Sequence, residues 1–147
     1  MERKSNASGY VLLEALVALL IFSLGLLGLI GFQAASMKIA TDSQFRTEAA
    51  MLSDELIAKM TVYNLSNVAT DFASPSGAQF SAWLNNRVKG ASRLPNAQVT
   101  TEFTSVPKAT STTLVVKLNI TWSVPGSTTG SGGREIAGAY ETRALLF

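Results

Sequence analysis

The chain has 147 residues, enough for one domain, and 47% of them are hydrophobic, more than a soluble fold of that size usually carries in its core. It contains no Cys and no His, which removes thiol and imidazole nucleophiles, imidazole acid-base chemistry and the usual zinc sites. A scattered formal net charge of +2 is too small a footprint for nucleic acid, so no nucleic-acid partner is expected, and the chemistry left open is that of carboxylate, Lys, Ser or Tyr side chains.

The first residues are polar and include Arg3 and Lys4, whose positive charge biases this end to the cytoplasmic side of a membrane, with everything after the span exported. Residues 15–37 carry no charged side chain and are mostly Leu, Ile, Val, Phe, Ala and Gly. About 20 apolar residues at roughly 1.5 Å each cover the hydrocarbon thickness if helical. Glu14 stands just inside the apolar run, between Leu12 and Leu13 on one side and Ala15, Leu16 and Val17 on the other. A carboxylate there costs about 2.5 kcal/mol or more if it reaches the bilayer centre, and intramembrane acids are functional by default. The alternative is that Glu14 lies near the interface, snorkelling outward or supporting the helix N-terminus. A removable secretory signal competes as well, because Ala34, Ala35 and Ser36 loosely resemble a small-residue cleavage site. A secretory apolar region is normally about 7–15 residues long and excludes acids, whereas this one is longer and contains Glu14. Gly25, Gly28 and Gly31 follow a three-residue step that suits close helix approach or local unwinding, and equally the general abundance of glycine in membrane helices.

Helical periodicity continues past the span with a different character. Phe45, Ala49, Leu52, Leu56, Met60 and Tyr63 recur at steps of three and four, while Lys38, Asp42, Arg46, Glu48, Asp54 and Lys59 supply polar positions. A helix over about 10–63 is on the order of 80 Å long, all-apolar in its first half and one-sided in its second. Residues 64–77 read as a loop, with Asn64, Asn67, Ser74, Pro75, Ser76 and Gly77 as breakers. Phe80, Trp83, Leu84 and Val88 mark a short helix ending near Gly90, with Trp83 buried against a sheet or, less simply, free for a partner.

The rest reads as strands. Val99, Thr101 and Phe103 alternate with polar neighbours; after a turn around 107–111, Leu114, Val116, Leu118, Ile120 and Trp122 alternate with Val115, Lys117, Asn119, Thr121 and Ser123. One apolar and one mostly polar face fit an antiparallel sheet covered on a single side, with the amphipathic half of the long helix as its cover. The Gly- and Ser-rich stretch 125–133 reads as a flexible loop, and it lacks the Lys and following helix of a phosphate-binding loop. Ile136, Tyr140 and Leu146 then share one parity and Glu135, Glu141 and Arg143 the other, as in a final strand.

Gly9, Tyr10, Val11, Leu12, Leu13 and Glu14, followed by the apolar residues 15–20, resemble the class III signal of type IV pilins and type II secretion pseudopilins. The resemblance implies that a prepilin peptidase cuts between Gly9 and Tyr10 and methylates the new amine on Tyr10, where the family most often has Phe. It also implies that Glu14 pairs with the free N-terminal amine of a neighbouring subunit, so that two charges costly in an apolar filament core neutralise each other. Many major pilins lose helicity around a proline in this helix; no proline occurs between Tyr10 and Tyr63, and Gly28 and Gly31 are the possible weak points in its place. The fold implied is α+β, the pilin fold: a long N-terminal helix, transmembrane in its first half and amphipathic in its second, packed on an antiparallel sheet. Residues 1–9 are then a leader, 10–37 the transmembrane and filament-core helix, and 38–147 the helix continuation plus a periplasmic or extracellular globular head.

Within this family, Leu26, Leu27, Gly28 and Leu29 with Gln33, then Arg46, Thr47, Glu48, Ala49, Ala50, Met51 and Leu52, are most similar to PilV-type minor pilins. Such proteins help to initiate pilus assembly within a tip-associated minor pilin complex, which implies no enzymatic activity and no cofactor. The implied partners are prepilin peptidase, other minor pilins, the major pilin, the inner membrane and a tip adhesin. The implied location is the inner membrane, then the pilus at the cell surface. An I-type pseudopilin of a type II secretion system would carry the same leader and glutamate. An anchored hydrolase using Ser and Lys has no supporting motif in the head and leaves the leader unexplained.

Overall fold

The computed structural model describes residues 7–107, 112–123 and 138–147. Arg3 and Lys4, the expected turn at 108–111, the Gly/Ser-rich stretch 125–133, Glu135 and Ile136 lie outside the described residues. The chain divides into two compact units, one ending at Thr41 and the other Asp42–Phe147. Helix α1, Ala7–Thr61, begins in the first and ends in the second. No proline interrupts it, and Gly25, Gly28 and Gly31 lie within continuous helix.

In the second unit the fold class is the expected α+β arrangement. Three antiparallel strands, β1 (Gln98–Pro107), β2 (Thr112–Trp122) and β3 (Gly138–Leu146), form a sheet in the order β1-β2-β3. Ala49, Leu52, Leu56 and Met60 of α1 share one core with Val116, Leu118 and Ile120 of β2, and the last three are fully buried. The stripe read at steps of three and four is therefore the face that covers the sheet. Alternation along β2 does the rest, since its even positions turn to the helix and its odd positions to the other face.

Residues 64–77 differ from the expected loop, because they contain helix α2, Leu65–Asp71. Asn64 acts as its N-cap: its side-chain oxygen accepts the Ser66 N–H at 3.0 Å, satisfying a donor that the helix start leaves unpaired. Val68 and Phe72, four apart, supply the buried stripe. The Tyr63 ring meets Phe72 edge-on at 5.3 Å, and its hydroxyl donates to Asp71 Oδ2 at 2.6 Å. That bond, with burial acting in the same direction, holds the Tyr63 hydroxyl's pKa above its ordinary value.

Helix α3, Ala78–Trp83, continues as a π-helical segment, Leu84–Lys89, and together they carry Phe80, Trp83 and Val88 into the core. Trp83 is 3% exposed, as expected of a ring buried with the sheet, and among the described residues its indole N–H meets no acceptor. β1 also runs further than expected, with Pro107 paired to Thr112. Proline is tolerated there because Thr101, of the same parity, turns its backbone N–H away from β2, so Pro107 has no ladder bond to lose.

Candidate functional site: the apolar half of α1 and the charged surface of the head

In the first unit every described side chain from residue 9 to 41 is exposed. Phe22 is 63% exposed, Leu24 61% and Ile30 60%, although these are the side chains that ordinarily fill a core. A contiguous apolar surface of this extent marks a membrane or a partner as its surroundings. α1 is long and apolar enough to cross a membrane by length and composition. Two hydroxyls of this unit are satisfied inside the helix: Ser23 Oγ donates to the Leu19 carbonyl at 2.7 Å and Thr41 Oγ1 to the Met37 carbonyl at 2.9 Å. Such back-bonding allows a Ser to sit in hydrocarbon without an unpaired group.

Gly9, Tyr10 and Glu14 all lie within α1, and Tyr10 is 74% exposed. Positions four apart on a helix are surface neighbours, so Tyr10 and Glu14 share one face. Glu14 is exposed among Leu13, Ala15 and Val17, and among the described residues it joins no ion pair. A side chain added at Gly25, Gly28 or Gly31 would meet open space, so no neighbour within the chain requires glycine at these positions.

Among the described residues of the second unit, Arg46 pairs with Asp42 along α1 at 2.9 Å, and two further groups of charges join different elements. Glu55 on α1 pairs with Lys59 at 3.2 Å and with Arg87 of the π-helical segment at 2.9 Å. Burial acts to raise the Glu55 pKa, but the hydrogen bonds and charges of Arg87 and Lys59 outweigh it and hold the carboxyl below its ordinary value. Beside this pair lies a groove of about 320 Å³ bordered by Glu48, Met51 and Ser92. Glu48 Oε1 accepts the Arg93 N–H at 2.7 Å, a second tie between α1 and the segment that follows the π turn. The other group lies on the sheet face opposite α1. Lys117 on β2 reaches Glu141 on β3 at 3.2 Å and Glu102 on β1 at 3.9 Å, and Arg143 contacts Glu141 at 3.2 Å. The Lys117 hydrogen bond, joined by the Lys117 charge and by Arg143, outweighs the opposing effect of burial and lowers the Glu141 pKa.

Among the described residues no group of three or more carboxylates is placed to hold a metal ion. The Glu55–Arg87, Lys117–Glu141 and Lys117–Glu102 pairs tie neighbouring elements together, as cross-strand and interhelical charges do. The sheet-face group was not singled out from the sequence, where the only available signal was the shared parity of Glu141 and Arg143 and the alternation that places Lys117 among apolar residues. No family model matches the chain, and searches of curated proteins and of solved structures find no significant match.

Proposed function

We propose that this chain is a minor pilin of the type IV pilus, cleaved after Gly9, methylated at Tyr10, held in the inner membrane by α1 and then assembled near the pilus tip, with no catalytic role. The observation that carries this reading is an exposed helical run at 15–37 with no charged side chain, immediately preceded by a single carboxylate, Glu14, one turn after Tyr10. A soluble protein has no use for that surface. A subunit that waits in a bilayer and then packs its helix among identical or similar helices uses all of it. Cleavage after Gly9 creates an amine on the same helix end as Glu14. A carboxylate and an ammonium from adjacent subunits then neutralise each other in an apolar bundle where each alone is costly.

Mass spectrometry of the membrane-extracted chain from cells containing prepilin peptidase is expected to find Tyr10 as a methylated N-terminus; an intact Met1 terminus would overturn the reading. Glu14→Ala is expected to leave cleavage unchanged and to reduce incorporation into sheared pili by at least about tenfold, the size of effect that an unpaired buried amine produces. Copurification from membranes separates the pilus from the secretion system. Minor and major pilins in the eluate support the proposal, and type II secretion pseudopilins alone would replace it with the I-type pseudopilin reading.

A further inference from the structure

The sheet has two faces, and α1 covers only one. On the other, the register places Glu102 of β1, Lys117 of β2 and Arg143 of β3 in a single row across the strands. One step along, Thr104, Val115 and Leu145 form the next row, and Val106 pairs with Thr113 in the row after that. Thr104, Leu145 (61%) and Val106 (46%) are exposed, and Val115 and Thr113 between them are half-buried. The side chains of Glu102 and Arg143 are 71% and 66% exposed. The face therefore has an apolar end beside a charged row whose ends differ in sign, Glu102 on β1 and Arg143 on β3, with Glu141 one step beyond Arg143 on the same strand.

That asymmetry makes the face complementary to itself. We propose that the exposed sheet face seats a second copy of this chain about a two-fold axis running along β2. Such an axis exchanges the β1 and β3 sides while keeping each row at its height. Glu102 of each copy then stands across from Arg143 of the other, forming two equivalent ion pairs. Leu145 meets Thr104, and Val115 lies on the axis facing its own counterpart. The isologous contact closes after two copies. Lys117 also lies near the axis, and its own Glu141 at 3.2 Å balances it, so the two lysines do not leave net charge at the centre. Face-to-face sheets pack about 10 Å apart with strands within about 30° of each other, a geometry that preserves these row-to-row matches. Among the described residues the face is three strands wide, which places the contact at the small end of specific interfaces. The pairing goes beyond the pilus reading and does not depend on it.

The chain has no Cys, so one introduced thiol is unique. In membranes from cells expressing the full chain, Val115→Cys treated with a short bis-maleimide is expected to give a covalent dimer. Met51→Cys, exposed on α1, is expected to give little. In the Val115→Cys background, Glu102→Arg or Arg143→Glu alone is expected to lower the dimer yield by about tenfold, since each sets like charges opposite one another. The two together should restore the yield, which also shows that the swapped chains fold. Absence of dimer from Val115→Cys, equal dimer from Met51→Cys, or a yield indifferent to the charge swaps would each overturn the proposal. Membrane fractionation of the same samples reads anchoring separately from pairing.

Discussion

Thr101 is buried at 7% exposure and uses its hydroxyl twice: Oγ1 donates to the Phe72 carbonyl at 2.7 Å and accepts the Ser74 N–H at 2.9 Å. Ser74 Oγ in turn accepts the Thr101 N–H at 3.0 Å, so the segment after α2 is fastened to the outer edge of β1. Thr101→Val keeps the shape and leaves the Phe72 carbonyl and Ser74 amide unpaired. It is expected to cost about 1–3 kcal/mol, measured as a lower unfolding midpoint of the chain in detergent micelles. Glu55 makes a different prediction, in pH. Its folded pKa is lowered, so its contribution is fully present above the ordinary value of 4.5 and is lost as pH falls through the depressed folded value. Glu55→Gln is expected to flatten the acid limb of a stability-versus-pH curve in that window. Because the Arg87 partner is half-exposed, the effect of the pair at neutral pH is expected to be about 1 kcal/mol or less.

At the scale of elements, the second half of α1 contributes by burial more than by intrinsic helix preference. Leu56 is 0% exposed in the core that α1 shares with β2. Leu56→Ala is expected to destabilise the chain by about 2–5 kcal/mol, the transfer free energy of the lost side chain plus that of the cavity it leaves. The same thermal measurement on Met51→Ala, at a position 68% exposed, is expected to show almost no change. The start of β3 illustrates the opposite constraint. Gly138 pairs with Trp122, and a Cβ at 138 would collide with the Trp122 indole. Gly138→Ala is expected to cost about 1–3 kcal/mol through overpacking, visible as a lower melting temperature with a shifted Trp fluorescence maximum. α2 shows how an element escapes a reading by composition: Asn64 has the chemistry of a breaker and of a cap, and only the chain after it decides which.

For the whole molecule, the first unit contributes no described buried side chain from residue 9 to 41, whereas the core draws its α1 members from Phe45 onward. The fragment 42–147 is therefore expected to stay in solution with mixed helix and sheet circular dichroism, while the full chain sediments with membranes. Aggregation or an unfolded spectrum of the fragment would count against it. The apolar run, the place of Glu14 within it, the stripe from Phe45 to Met60 and the parity of β2 were all legible in the amino-acid order. Periods of 3.6 and 2 are local properties, and an exposed span announces itself by lacking any polar face. The tertiary structure alone decided that Asn64 caps a helix, that the helix after Phe80 widens into a π turn, that Thr101 holds Phe72 and Ser74, and that Trp122 closes over Gly138. It alone brought Glu102, Lys117 and Arg143 into one row. Each of these depends on register between segments far apart in the chain, which a periodic pattern permits in several alignments and only three-dimensional packing reduces to one.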